Sequence, residues 1–313
     1  MKSYERILLI ARAGGGASPA MRQAMWLAHR SGAALHVLLP LHSMALDVVD
    51  RLRQAGSGTV RDGLLREHRD ALRTALSGYA ELQVATTVEV IWTDVPGEEI
   101  RTHVIESHSD LVVKDVELPH GLRRILTTPL DRELLRSCPV PVLLVHSGRM
   151  TPRRIVVAVD VMAPDAAAQT MRQALALAYA ADAELHLAYA ALPMSALDAS
   201  GAVVPSMTAE IYETLCQVHQ DRFKSFADAH GIAPARRHFR IGPTASAIVD
   251  CAETLHADAI VLGSNDRHRF ERLLLGSTAE ALIGEASCDL LVVTAEARHH
   301  DTTPRRDLTV DAP

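Results

Sequence analysis

The chain has 313 residues, of which 48% are hydrophobic and 22% charged, the make-up of a globular protein of about two domains. Its 32 basic residues are outnumbered by 38 acidic ones, for a formal charge of -6, which excludes a sequence-wide basic surface for nucleic acid. Aromatic residues make up only 4%, so the core must be mostly aliphatic.

The first predicted element is a strand over Ile7–Ile10, followed by a helix over about Ala17–Arg30 and a strand over Ala34–Leu39. Next come a longer helix over about Val60–Leu82 and a strand over about Gln83–Trp92. A helix starting near Pro96, a strand over Leu111–Lys114, a helix starting near Pro129 and a strand over Val142–His146 complete the first half. Short, near-continuous aliphatic runs of this kind suit strands covered on both faces, as in parallel sheets. Proline at the first turn of a helix is favoured because its missing N–H would be unpaired there anyway.

The same series then repeats. Strands are expected over Ile155–Val159, Glu184–Tyr189, Arg236–Ile241, Ala259–Leu262 and Leu290–Thr294, with helices over Asp165–Ala181 and Met207–His230 and others starting near Pro243 and Ser277. The repetition is visible in the letters. Arg6–Arg12 returns as Arg154–Asp160 at an offset of 148, and Met21-Arg22-Gln23-Ala24 returns as Met171-Arg172-Gln173-Ala174 at 150. Asp110-x-Val112-Val113 returns as Asp258-x-Ile260-Val261, back at 148. An offset that drifts by two residues across a whole half means a duplicated domain, not a short-period solenoid.

The predicted fold is therefore two tandem doubly wound α/β domains, each a five-stranded parallel sheet of order 3-2-1-4-5. The expected boundaries are 1–148 and 152–296, with a polar tail over 297–313. The short linker Ser147–Pro152 keeps the halves adjacent, and they are expected to pack as a pseudo-two-fold pair through their last strands. Cys138, Cys216, Cys251 and Cys288 show no CxxC spacing and read as reduced, buried thiols. The N-terminus enters a strand pattern without a signal-peptide hydrophobic region, and no apolar run approaches the ~20 residues of a membrane helix. The expected compartment is the cytoplasm.

The second half resembles the universal stress protein family over its full length. The resemblance rests on IVVAVD (Ile155–Asp160), AELHLAYA (Ala183–Ala190) and IVLGSNDRHRFERLLLGSTAEALI (Ile260–Ile283). The family's ATP signature is a glycine, two residues, a second glycine, nine residues, then Gly-Ser or Gly-Thr. Gly263 stands at its first position and Gly276-Ser277-Thr278 thirteen residues on, while Asp266 stands at the second glycine position. With the tandem layout, the chain looks like the two-domain UspE type. The resemblance implies a nucleotide-binding-like fold of the adenine-nucleotide α-hydrolase kind, and ATP with Mg²⁺ as the cofactor of the second half. It also implies a role in stress survival, including resistance to DNA-damaging conditions. Ala190 would offer backbone contacts to adenine, Leu262 would flank the base or sugar, and Ser264 joins the same candidate set.

The residues have a physical reading of their own. A loop ending at a helix N-terminus presents unpaired N–H groups and the positive end of the helix dipole to a phosphate. Ser277 and Thr278 add hydroxyl donors there. Asp160, at the carboxyl edge of the sheet where ligands of open α/β folds bind, could accept a ribose hydroxyl or hold Mg²⁺. A plainer reading stands beside this one: Gly263 ends a strand, Gly276 opens a helix and Asp160 caps a turn. Asp266 opposes ATP, since like charges about 4 Å apart cost on the order of 4 kcal/mol at an effective dielectric near 20.

The first half reads as a lost site. Arg12 takes the place of Asp160, Asp115 that of Gly263, and Thr128-Pro129 that of Gly276-Ser277. No catalytic residue and no metal site is assigned. The sixteen histidines, among them His103, His108, His36, His186, His268 and the tail pair His299-His300, show no HExxH spacing and read as core or surface.

The expected function is a non-enzymatic, ligand-responsive stress-resistance factor. Its rivals are a slow ATPase or nucleotidyl-transfer enzyme at Asp160, Gly263 and Ser277, and a carrier of an apolar or nucleotide-linked metabolite beneath a flap over Ser195–Met207. The expected partners are a small-molecule ligand and, between chains, a homodimer. Direct contacts with nucleic acid or membrane are not expected.

Overall fold

The computed structural model describes residues 4–14, 16–43, 58–116, 128–146, 151–194, 209–264 and 277–294. The first half runs β1 (Arg6–Ile10), α1 (Pro19–Ser31), β2 (Ala34–Leu41), α2 (Gly58–Ser77), β3 (Thr86–Trp92), α3 (Pro96–Glu106), β4 (Leu111–Asp115), α4 (Pro129–Ser137) and β5 (Val142–Val145). The second half repeats it as β6 (Arg154–Ala158), α5 (Pro164–Ala181), β7 (Glu184–Ala191), α6 (Ala209–Ala229), β8 (Arg237–Ile241), α7 (Thr244–Thr254), β9 (Ala259–Gly263), α8 (Ser277–Glu285) and β10 (Asp289–Val293). No helix among the described residues is long and apolar enough to cross a membrane.

Among the described residues ten strands form one sheet, in the order β3-β2-β1-β4-β5-β10-β9-β6-β7-β8. Each half therefore has the expected order 3-2-1-4-5, with parallel pairing inside it. The halves meet where expected, through their last strands, and this pair alone is antiparallel. Leu291 pairs with Leu143, its own repeat equivalent at an offset of 148, so the pseudo-two-fold axis passes through that pair.

Alternation along the strands explains the two apolar layers. Ile7 and Leu9 point into the layer under α1, α2, α5 and α6, while Leu8 and Ile10 point into the layer under α3, α4, α7 and α8. Each layer continues across the joint between the halves. Polar contacts cross it as well. On one face Arg30 Nε donates to the Ala180 carbonyl at 3.1 Å, and on the other Arg136 lies 3.2 Å from Glu280. The His146 backbone N–H donates to Asp289 Oδ1 at 2.9 Å.

Local chemistry sets the helix ends. Ser18 accepts from the Met21 N–H at the start of α1, and Gly32 closes that helix in the left-handed conformation (φ 68°). At the equivalent end of α5, Asp182 adopts the same conformation with φ 51°. The long helix expected over Val60–Leu82 ends earlier, at Ser77, and a 3₁₀ turn over Ala80–Leu82 follows. Gln83 then takes φ 51°, which no strand residue can hold, so β3 starts at Thr86 instead of Gln83. In the second half a 3₁₀ turn over Pro234–Arg236 likewise moves the start of β8 to Arg237.

Burial holds His146, His186 and His238 below the usual imidazole range, in each case against the cost of charging a desolvated ring. A depressed folded value means the unfolded chain takes up the proton first. The stability from these rings is full above about 6.5 and is lost as pH falls through their folded values. Thermal melts are expected to show a lower midpoint at pH 5.5 than at pH 7.5; an unchanged or higher midpoint would contradict this assignment.

Candidate functional site

The carboxyl edge of the second half gathers most of the residues expected there. Leu262 is buried in β9 opposite Ala158 and Val292, and Gly263, paired with Val293, ends the strand at the edge where β6 gives way to Asp160. Ala190 lies near the end of β7, buried and paired with Arg240. The Ser264 N–H donates to the Val293 carbonyl at 2.9 Å. Ser277 and Thr278 open α8. Asp266, Gly276, the expected flap over Ser195–Met207 and the tail lie outside the described residues.

Two of these residues carry structural duties. Asp160 Oδ1 accepts from the Met162 N–H at 3.0 Å and thereby caps the turn after β6. Gly263 lies so close to α5 that a Cβ there would stand 2.8 Å from Thr170 Oγ1. The sequence reading did not single out Thr170. Its repeat equivalent is Ala20, and the equivalent of Gly263 is Asp115. The two halves thus exchange a large and a small residue across one contact.

In the first half the same edge is filled by the chain's own charges. Asp115 is buried, and its Oδ1 accepts from the Ala20 N–H at the start of α1, at 2.9 Å. Lys114 Nζ lies 2.9 Å from Asp131 Oδ1, with the two side chains 3% and 0% exposed, and it donates to the Asp115 carbonyl at 3.0 Å. Asp131 also closes a capping box on α4: its Oδ2 accepts from the Thr128 N–H, and its own N–H donates to Thr128 Oγ1. A carboxylate of the protein therefore already occupies the positive end of α4. The equivalent position on α8 is Ala279, which has no polar side chain. The lysine within the aliphatic run Leu111-Val112-Val113-Lys114 is the sequence signal for this pair.

The four cysteines are free. Burial pushes the Cys138 thiol up to about 11, and burial with the neighbouring Asp289 carboxylate pushes Cys288 to about 12. Both are thus poor nucleophiles near neutral pH. A cavity of about 350 Å³ lined by Val249, Glu253, Ile260 and Cys288 lies at the opposite, amino edge of the second sheet, away from Gly263 and Asp160.

The sequence profile of the Universal stress protein family matches residues 3–146 and again residues 151–294. The chain belongs to this family. Universal stress protein E of Photorhabdus laumondii is 26% identical over 303 residues, covering 94% of this chain and 96% of that protein. Universal stress protein E of Escherichia coli K12 is 27% identical, covering 94% and 95%. These full-length matches make the chain a tandem universal stress protein of the UspE type. Its fold is shared by a protein of unknown function from Pseudomonas aeruginosa PAO1, with TM-score 0.72 and 22% identity over 94% of both chains. A universal stress protein from Archaeoglobus fulgidus has TM-score 0.58 and 18% identity, covering 92% of this chain and 98% of that one.

Proposed function

We propose that this tandem universal stress protein is a binding module without catalytic turnover, whose ligand is a nucleotide or nucleotide-linked metabolite held by the second half. The observation that carries this reading is the contrast between the two helices that follow the glycine-loop position. The amino end of α4 is neutralised internally by Asp131, which is fully buried. α8 has Ala279 at the same place, which has no side chain to accept from its N–H groups, and its first-turn carboxylate, Glu280, lies 3.2 Å from Arg136 across the joint, so we read this helix start as open to an external anion. Around that end, Asp160, Ala190, Leu262, Gly263, Ser264, Gly276, Ser277 and Thr278 form the proposed ligand edge, with Mg²⁺ accompanying any triphosphate.

Asp266 tunes this site. If its carboxylate points into the phosphate space, the wild type is expected to bind ATP nearer the millimolar than the micromolar range. Asp266→Gly is expected to gain roughly 1–4 kcal/mol by removing the repulsion, and the gain should shrink in high salt. Calorimetric titration of both proteins with ATP and Mg²⁺ tests this, with Gly276→Asp abolishing binding and Thr128→Asp leaving it unchanged. Tight wild-type binding with steady ADP release would overturn the reading in favour of an ATPase. Ligand uptake that survives Gly276→Asp but is lost in Thr128→Asp would move the site to the first half.

A further inference from the structure

The first half brings together two imidazoles and a carboxylate that take no part in the ligand edge. His36 on β2, Glu89 on β3 and His103 on α3 are each half-buried, and one ligand atom from each lies within 4.8 Å of the other two. Glu89 sits diagonally across the β2–β3 pair from His36, because it is in register with Leu38. The His36 and His103 rings stack with an interplanar angle of 11°. Among the described residues this is the one group of three or more such side chains drawn so close.

The distances favour a shared ion over direct hydrogen bonding. Nε2 of His36 and Nε2 of His103 lie 3.6 and 3.5 Å from the same atom, Glu89 Oε2. Both separations exceed the ~2.7–3.2 Å of an N–H···O bond. They approach the ~3.3 Å edge of a tetrahedron whose centre is about 2.0–2.1 Å from nitrogen and oxygen ligands, as around Zn²⁺.

The far side of each ring is already held. His103 Nδ1 lies 2.8 Å from the Glu99 carbonyl, which can only accept, so Nδ1 carries a proton and Nε2 is the nitrogen left to face Glu89. His36 Nδ1 lies 2.7 Å from Thr87 Oγ1. Metal-bound histidines are oriented by such outer partners. Glu89 is 46% exposed, which leaves a path from solvent and room for water as a fourth ligand.

We propose that His36, Glu89 and His103 form a binding site for a divalent transition ion of the Zn²⁺ class, tying the edge strand β3 to β2 and α3. The equivalent positions of the second half hold His186, His238 and Cys251, at offsets of 150, 149 and 148. There His186 Nδ1 and His238 Nε2 are 3.1 Å apart, spending on each other atoms that would otherwise face an ion.

The test uses the full chain, freed of metal with a chelator and titrated with Zn²⁺, with Co²⁺ as the spectroscopic probe. One ion per chain is expected, with visible Co²⁺ bands typical of nitrogen and oxygen ligands and no thiolate charge-transfer band. Thr87→Val should weaken Zn²⁺ binding about 10–100-fold, as for other outer partners, and His103→Ala by more than that. Glu89→Gln, on a half-exposed side chain, gives a second ligand variant should His103→Ala fail to fold. His299→Ala with His300→Ala should leave binding unchanged. Binding insensitive to His103→Ala and Glu89→Gln, binding lost with the tail pair, or no stoichiometric binding would each overturn the proposal.

Discussion

Asp131→Ala is expected to destabilise the protein by about 3–5 kcal/mol, the range for removing one partner of a buried ion pair. Lys114 would keep its charge while 3% exposed and lose the carboxylate that faces it at 2.9 Å. The same substitution opens the Thr128 capping box, worth about 1 kcal/mol more. Urea denaturation measures the sum. Replacing both partners together, as Lys114→Met with Asp131→Leu, removes the stranded charge and should recover most of the loss, leaving a deficit near the ~1 kcal/mol of the cap. A double variant as unstable as Asp131→Ala would mean that the cost arises from something other than the lysine's lost carboxylate.

A second large effect is expected at the joint. Leu291 is fully buried on β10, on the pseudo-two-fold axis opposite Leu143, and Leu291→Ala should cost about 2–5 kcal/mol. The informative result is where that cost registers. Both tryptophans, Trp26 and Trp92, belong to the first half, so tryptophan fluorescence reports that half and its joint, not the interior of the second half. Because the sheet and both apolar layers run through the joint, Leu291→Ala should lower the fluorescence midpoint in step with far-UV circular dichroism. A fluorescence curve that ignores a substitution in the other half would show that the halves unfold separately.

The strands were legible because a sheet covered on both faces asks for unbroken aliphatic runs, and Leu8-Leu9-Ile10 and Val156-Val157 supply them. The pairing of the halves was legible too, since duplicated domains with equally apolar last strands have an obvious way to share an edge. Gln83 misled, because it borders an alternating stretch, and only the backbone reveals its left-handed turn. The filling of this edge of the first half was half visible: Arg12, Asp115 and Pro129 mark where the halves differ, but they do not show that Asp131 would turn back to meet Lys114. That contact spans seventeen residues and follows no motif. The trio His36, Glu89 and His103 was hidden for the same reason. Its members come from two strands and a helix, and strand register, which no local spacing encodes, sets Glu89 beside His36.

The antiparallel meeting of β5 and β10 within one polypeptide has a consequence for how such a protein can diverge. Were the two halves separate, identical copies, a carboxylate introduced at one helix start would appear at both, and every site in the assembly would close together. Joined in one chain, the halves meet at an effective concentration set by their tether, which dilution cannot lower. One half can therefore become a permanent scaffold, its helix start filled by Asp131 and Lys114, while its neighbour diverges independently. Pairing itself is no longer a variable that the cell must control.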